Sequence, residues 1–142
     1  MGELDTQVLH VEDDKVDAMM IQRAFKKCNI PYAIENATNG IEALDLLRGT
    51  NGKEKIQKPR IILLDINMPK MNGLEFLKEL RNDPDLKHIS VFVITTSNDD
   101  TDKFEAYQLN VAGYILKPYS IENFETLFNI LHQYWEMCVY PD

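Results

Sequence analysis

The stretch from Arg60 to Gly73, RIILLDINMPKMNG, joins an apolar run to an aspartate and then to a turn. Ile61 to Leu64 are apolar without alternation, as expected of a strand that is covered on both faces of a sheet. Asp65 follows them directly, and Pro69 lies a few residues further on. The stretch therefore predicts a central strand, Arg60 to Ile66, that carries a carboxylate at its carboxyl end.

Four more short runs rich in β-forming residues accompany this strand, and segments with helical patterns separate them. The runs are Val8 to Val11, Tyr32 to Ala37, Val91 to Thr96 and Gly113 to Leu116. Strands that alternate with helices predict an α/β fold, in which a parallel five-stranded sheet has helices on both faces. The polar stretch 49–59 is longer than a usual connection, and we interpret it as a surface loop rather than as a domain linker.

Local signals mark where several helices begin and end. Asn72 followed by Glu75 is typical of a capping box, and the same helix is predicted to stop at Asn82-Asp83-Pro84. Ser120 is a candidate N-cap for the last helix. The other helical segments are a first helix that carries Val16, Met19, Met20, Ile21, Ala24 and Phe25, a second that carries Ile41, Leu44 and Leu47, and a fourth over Thr101 to Leu109.

Length and charge limit the classes of function. The chain of 142 residues fits a single domain, 1–142, with a core over about 7–135, and about five residues remain after the last predicted helix, so we expect no effector domain. A formal net charge of −8 disfavours direct binding to nucleic acid. Cys28 and Cys138 match no metal-binding spacing, and the N-terminal MGELDTQ lacks the features of a signal peptide. No stretch is apolar enough to cross a membrane, and we expect a cytoplasmic protein.

Acidic residues follow the first strand as well as the third. Glu12 and Asp13 end the first run, while Asp14 is placed to cap the helix that follows. A lone Asp65 could be explained as a residue that caps a turn. In a doubly wound sheet whose first and third strands are neighbours, however, Glu12 and Asp13 would converge on Asp65. Crowded carboxylates repel one another unless a cation lies between them, and such oxygen ligands favour Mg²⁺.

The fourth and fifth strands end in groups that suit a phosphoryl ligand. Thr95 offers a hydroxyl and Lys117 an ammonium, and both can donate hydrogen bonds to phosphoryl oxygens. Taken alone, Thr95 fits a β-forming residue and Lys117 a surface charge. Together with the acids of the first and third strands, they indicate a metal-dependent phosphoryl site at the carboxyl edge of the sheet.

The strand-end motifs resemble those of a known family. Val11-Glu-Asp13, Leu64-Asp-Ile-Asn-Met-Pro69 with Asn72-Gly73, Thr95-Thr-Ser97 and Lys117-Pro118 are similar to the motifs of a CheY-like receiver domain of a two-component response regulator. The resemblance covers Gln7 to Trp135. It implies a flavodoxin-like doubly wound sheet with strand order 2-1-3-4-5, and a phosphorylation-controlled switch that catalyses only its own phosphotransfer and dephosphorylation.

The resemblance assigns roles to the acidic residues. Asp65 would accept a phosphoryl group from a histidine of a sensor kinase and hold it as an acyl phosphate. Asp13 would ligate Mg²⁺ directly and Glu12 through water. The side chain of Asp65 and the backbone carbonyl of Asn67 would complete the protein ligands of the metal.

The resemblance also implies a switch. Thr95 and Lys117 would contact the phosphoryl group. As Thr95 moves toward the phosphoryl group, Tyr114 would turn inward. Because we expect no effector domain, we expect output through protein–protein binding, and in particular a homodimer formed through the fourth helix, fifth strand and fifth helix. Aromatic residues on or near these elements are Phe104, Tyr107, Tyr114, Tyr119, Tyr134 and Trp135.

A second resemblance concerns the subtype. The insert before Arg60, the stretch from Leu109 to Ser120 and Tyr134-Trp135 are similar to the stand-alone response regulators of bacterial phytochrome kinases, which implies a phytochrome-like sensor histidine kinase as partner. A haloacid-dehalogenase-type phosphatase would need a second acid at Asn67. A flavodoxin-like cofactor binder would need a Ser/Thr/Gly-rich phosphate loop in place of Glu12 to Asp14, so both alternatives are disfavoured.

Two histidines and the C-terminal aromatic residues lie outside this pattern. His10 alternates with its neighbours in the first strand, which favours packing against a helix over metal binding. Nothing around His132 indicates the helical bundle that a phosphotransfer histidine needs. Tyr134, Trp135 and Tyr140 exceed what the end of a helix requires, and we expect them to face a partner.

Overall fold

The computed structural model describes residues 7–141, and the predicted domain limits at residues 1 and 142, with most of MGELDTQ, lie outside that range. Within it, strands and helices alternate along the chain. The elements are β1 Val8–Val11, α1 Lys15–Lys27, β2 Ile34–Ala37, α2 Gly40–Arg48, β3 Ile61–Leu64, α3 Gly73–Asn82, β4 Ser90–Thr95, α4 Asp100–Gln108, β5 Gly113–Leu116 and α5 Ile121–Met137.

The strands of residues 7–141 form a parallel five-stranded sheet in the order β2-β1-β3-β4-β5. Strand β3 lies between β1 and β4, with Leu64 opposite Val11 on one side and Val93 on the other. All four residues of β3 are buried. The predicted doubly wound, flavodoxin-like fold with a central third strand is confirmed. Because every strand runs in the same direction, the five carboxyl ends lie at one edge of the sheet.

Each face of the sheet packs against its own helices. On the face of α1 and α5, Phe25, Phe128 and Trp135 pack with ring centroids 5.0 to 6.3 Å apart. On the opposite face, α2, α3 and α4 cover a larger cluster that includes Phe76 and Leu77. The two clusters bury both faces of β3, which explains why its sequence is apolar without alternation.

The predicted helix caps are confirmed. Asn72 accepts a hydrogen bond from the backbone of Glu75 at 2.9 Å, and the Glu75 carboxylate accepts one from the backbone of Asn72 at 3.0 Å. Helix α3 ends at Asn82, just before the Asp-Pro pair. Ser120 caps α5, and Asp14 caps α1 by accepting two backbone hydrogen bonds. These caps fix where the loops at the carboxyl edge of the sheet end.

Several predicted bounds differ from the structure. Strand β2 begins at Ile34 rather than Tyr32, since Ile34 pairs with Val8, where β1 itself begins. The central strand, predicted to extend to Ile66, ends at Leu64. Strand β4, predicted over Val91 to Thr96, spans Ser90–Thr95. In α1, Val16 and Met19 are exposed, although their spacing is helical. The face of α1 that packs on the sheet consists of Ala18, Ile21, Ala24 and Phe25.

The expectation that Trp135 faces a partner is wrong. Trp135 is 1% exposed, because α5 continues to Met137 and places it one turn beyond Leu131 on the buried stripe of that helix. Its ring packs against Phe92 with centroids 5.8 Å apart. Tyr134, its neighbour, is exposed as expected.

The connections between elements lie at the surface. Residues 49–59 contain neither helix nor strand and are mostly exposed, as predicted, although Ile56 packs against the core and its N–H donates to the carbonyl of Leu46 at 3.0 Å. Of the helices that the structure describes, none has the length and apolar character to cross a membrane.

Candidate functional site

Asp65 lies at the carboxyl end of the central strand. Its N–H donates to the carbonyl of Val11 at 3.0 Å, so the sheet holds its backbone one residue beyond β3. Asp65 is 4% exposed, and its Oδ1 atom is buried with no hydrogen-bond partner within residues 7–141. A buried carboxylate oxygen without a donor is costly. This environment indicates a site that an additional positive group completes.

Glu12 and Asp13 follow β1, the strand next to β3. The N–H of Glu12 donates to the carbonyl of Ala37 at 2.8 Å, which holds the backbone at this point. Glu12 is buried, whereas Asp13 is exposed. One carboxylate oxygen from each of Glu12, Asp13 and Asp65 lies within 4.8 Å of the others. The predicted convergence of three acids is confirmed, and we call these residues the acidic cluster.

The acidic cluster fits a hard divalent cation. Its three residues all offer carboxylate oxygens, which are the ligands that Mg²⁺ prefers. A cation would relieve their mutual repulsion and would engage the free Oδ1 of Asp65. The exposure of Asp13 leaves room for the water ligands that Mg²⁺ retains. Asn67, the fourth predicted ligand, is exposed two residues after Asp65, and the role of its backbone carbonyl stays a prediction.

Lys117 reaches the acidic cluster from the end of β5. Its N–H donates to the carbonyl of Thr95 at 2.8 Å, and its side chain is 9% exposed. The Nζ atom lies 2.8 Å from Glu12, 3.6 Å from Asp65 and 2.6 Å from Asp17. The predicted meeting of Lys117 with the acids is confirmed.

Asp17 is the site residue that the sequence analysis missed. It lies in the first turn of α1 and contacts Lys117 across a separation of 100 residues in the chain. A sequence signal for it exists: Asp17 stands four residues before Ile21 and seven before Ala24, both on the buried face of α1. An acid on the buried face of a helix needs a partner.

Burial, together with the acids around one ammonium, sets the pKa values of Glu12 and Lys117. Burial raises the pKa of Glu12 to about 8, against the opposing contact with Lys117, and the charge of Asp65 adds to the rise. Burial disfavours the ammonium form of Lys117, but Asp17, Glu12 and Asp65 outweigh it and raise its pKa. Lys117 therefore stays charged at neutral pH, and Glu12 binds a proton readily as long as no metal is bound.

Thr95 and Tyr114 are connected through a single residue, Ser97. Thr95 is fully buried at the end of β4, and its hydroxyl accepts a hydrogen bond from the N–H of Ser97 at 3.3 Å. The hydroxyl of Tyr114 donates to the carbonyl of Ser97 at 2.9 Å. The Ser97 hydroxyl in turn donates to Asp102 on α4 at 2.6 Å. A displacement of the Thr95 hydroxyl is thus linked to both the Tyr114 ring and α4.

His10 and His132 lie outside the acidic cluster. His10 is 2% exposed in β1, and burial, aided by the charge of Lys117, lowers its pKa to about 3. Its packing in the core agrees with the prediction. His132 meets the ring of Tyr32 edge-on at 5.4 Å and lies 3.7 Å from Glu136 on the surface of α5.

Comparison with known proteins places this site in a family. A sequence model of the response regulator receiver domain matches residues 8–129, which include β1 to β5 and every residue of the predicted site. The chain belongs to the response regulator receiver family. Receiver domains of this family act in two-component systems, and phosphorylation on an aspartate and binding of Mg²⁺ are typical of them. The dehalogenase and flavodoxin alternatives are therefore set aside.

Relatives of this receiver include proteins linked to phytochromes. It is 33% identical to the response regulator Rcp1 of Synechocystis sp. over 128 residues. The match covers 90% of this chain and 87% of the relative. It also resembles the phosphorylated cyanobacterial phytochrome response regulator RcpA, with a TM-score of 0.88 and 32% identity over 97% of this chain and 99% of that chain. For the Mn²⁺-bound form of Rcp1 the TM-score is 0.86, with 32% identity over 95% of this chain and 98% of that chain. The predicted resemblance to phytochrome-associated receivers is confirmed.

Proposed function

We propose that Asp65 of this receiver accepts a phosphoryl group from a phosphohistidine of a sensor histidine kinase. The observation that carries the proposal is the Asp65 carboxylate, which lies beside two further acids with its Oδ1 atom buried and free and its Oδ2 atom 3.6 Å from the Lys117 ammonium. In the transfer, an oxygen of Asp65 forms a bond to phosphorus as the phosphorus–nitrogen bond of the donor breaks. The imidazole leaves with the bonding electron pair and takes up a proton.

Charge limits this reaction, because a carboxylate must approach a phosphoryl group that is itself negative. Glu12, Asp13, Asp65 and the backbone carbonyl of Asn67 would hold Mg²⁺, which when bound screens the charge of the phosphoryl oxygens. Lys117 supplies a second positive charge and donates to a phosphoryl oxygen. These residues support transfer to and from Asp65 only, so the protein would act as a phosphoacceptor switch rather than as an enzyme with a separate substrate.

The hydroxyl of Thr95 would donate to another phosphoryl oxygen and thereby start the switch. The motion would reach Tyr114 and Asp102 through Ser97, which hydrogen-bonds all three of these side chains. We propose that the surface formed by α4, β5 and α5 responds and binds a second copy of the chain. The exposed apolar residues of these three elements are Phe104, Tyr107, Leu116, Ile130, Tyr134 and Met137.

The similarity to RcpA and Rcp1 supports a phytochrome-like histidine kinase as the phosphoryl donor, with signalling in the cytoplasm. The net charge of −8 favours output through protein partners over direct binding of nucleic acid. Phosphotransfer from purified candidate kinases would identify the donor, since the cognate kinase should label this receiver fastest.

Incubation with acetyl phosphate and Mg²⁺ tests the acceptor directly. We expect intact-protein mass spectrometry to show one added phosphoryl group in the wild type, which is lost when EDTA is present. Asp65→Asn should abolish the modification because it removes the nucleophilic oxygen. Asp85→Asn is the matched control, since Asp85 is an exposed acid outside the acidic cluster and should leave labelling unchanged. Undiminished labelling of Asp65→Asn would place the acceptor elsewhere.

A further inference from the structure

Asp17, rather than Asp65, is the nearest partner of the Lys117 ammonium. The Nζ atom is 2.6 Å from Asp17 and 2.8 Å from Glu12, both within the range of a hydrogen bond. The separation of 3.6 Å from Asp65 exceeds that range. Lys117 is therefore drawn toward α1 and away from the aspartate on which the phosphoryl group would be carried.

The position of Asp17 is fixed by its helix. Its N–H donates to the capping carboxylate of Asp14 at 3.1 Å, and the next residue, Ala18, is buried against the sheet. The side chain of Asp17 is 24% exposed, so water reaches it only in part. Helix α1 thus presents a carboxylate to Lys117 from a rigid backbone.

We propose that Asp17 is a positioning residue, which retains Lys117 at α1 in the unphosphorylated protein and competes with the phosphoryl group for its ammonium. The inference rests on the proposed roles of Asp65 and Lys117. An ammonium has three N–H donors; Asp17 accepts a hydrogen bond from one of them, and Glu12 lies beside the ammonium as an ion-pair partner. A phosphoryl group on Asp65 adds negative charge near Asp17 and requires a donor from Lys117, so Asp17 should disfavour the phosphorylated state.

Loss of the Asp17 charge should not release Lys117 from the site. Glu12 remains at 2.8 Å and is 1% exposed, so one buried anchor persists. Removing one competitor and one negative charge should therefore strengthen binding of a phosphoryl group or of its mimic, beryllofluoride. A purely structural role for Asp17 predicts the opposite, because a loosened α1 would weaken binding.

Calorimetric titration with beryllofluoride at saturating Mg²⁺ measures this competition without any kinase. We expect Asp17→Asn to bind beryllofluoride about three to ten times more tightly than the wild type. Asp17→Glu restores the charge and should return the affinity to within about twofold of the wild type. Asp14→Asn is the matched control: asparagine caps a helix as well as aspartate does, and the change removes one charge from the same turn without touching Lys117.

The side-chain ammonium signal of Lys117 in a ¹⁵N NMR spectrum gives a second readout in the absence of beryllofluoride. We expect it to shift and to exchange faster with water in Asp17→Asn, but not in Asp14→Asn. An unchanged ammonium signal, or beryllofluoride affinity in Asp17→Asn equal to or below that of the wild type, would overturn the proposal. Binding of beryllofluoride to Asp65→Asn would instead refute the acceptor role of Asp65, and the NMR comparison would still test the hold of Asp17 on Lys117.

Discussion

His10 shows how the fold acts on a single ionisable residue. Its side chain is enclosed in the core beside β1, and burial, with a smaller contribution from the charge of Lys117, lowers its pKa to about 3. An exposed histidine in the unfolded chain has a pKa of about 6.5. Between these two values the unfolded chain binds a proton that the folded protein excludes.

We therefore expect the free energy of unfolding to fall as the pH is lowered from about 6.5 toward 3, because protons then favour the unfolded state. Above pH 6.5 or so the imidazole is neutral in both states and the stabilisation is fully present. At pH 5 the loss due to His10 amounts to about 2 kcal/mol. Urea unfolding at pH 7 and pH 5 measures it.

The control for this experiment is His10→Leu, which keeps an apolar side chain in the core and removes the titrating group. Both proteins are compared in EDTA, since the acidic cluster then titrates equally in each. The wild type should lose more stability than His10→Leu between the two pH values. An equal loss in both would contradict a neutral, buried imidazole.

At the scale of elements, the loop between β3 and α3 determines where Asp65 lies. The N–H of Gly73, the first residue of α3, donates to the carbonyl of Ile66 at 2.9 Å. A Cβ atom at Gly73 would overlap the carbonyl oxygen of Asp65. Glycine is therefore required for the close approach of the helix start to the backbone of the acceptor.

We expect Gly73→Ala to lower the free energy of unfolding by about 3 kcal/mol, because backbone atoms must move to admit the methyl group. The same movement should displace Asp65 and weaken binding of beryllofluoride. Gly113→Ala is a suitable comparison, since its Cβ atom would meet only the ring of Phe92 at 3.4 Å. Equal urea midpoints for the two variants would show that the contact at Gly73 is not tight.

At the scale of the whole molecule, phosphorylation must change a surface in order to be read by a partner. A series of hydrogen bonds joins Thr95, Ser97 and Tyr114, and it runs from the carboxyl edge of the sheet to the side where α4, β5 and α5 meet. Converting a switch from mostly off to mostly on requires about 5.5 kcal/mol of differential stabilisation. A few hydrogen bonds to a charged phosphoryl group, each contributing about 1.5 to 3 kcal/mol, are sufficient.

Sedimentation velocity with and without beryllofluoride tests the proposed homodimer. We expect a shift from monomer toward dimer on addition of beryllofluoride, and Phe104→Ser should weaken that dimer about tenfold, since it removes an exposed aromatic residue from the α4 surface. Met19→Ser, a change of a similarly exposed residue on α1, should have no effect. Identical distributions with and without beryllofluoride over a wide concentration range would leave a different protein as the partner.

The sequence by itself determined the order of the elements, the doubly wound class of the fold and the candidate residues at four strand ends. These features depend on local chemistry: β-forming runs, helical spacing, and caps such as Asn72 and Ser120 operate within a few residues. The convergence of Glu12, Asp13 and Asp65 was predictable too, because parallel strands end at one edge of a sheet.

Only the tertiary structure decided the contacts between distant side chains that the order of the strands does not specify. The contact between Asp17 and Lys117 depends on the packing of α1 beside the end of β5, and the burial of Trp135 depends on where α5 ends and what it covers. The bridge formed by Ser97 depends on the path of the loop after β4. Spacing along a chain specifies local geometry, but it does not specify the distance between elements, which is set by how their buried faces pack.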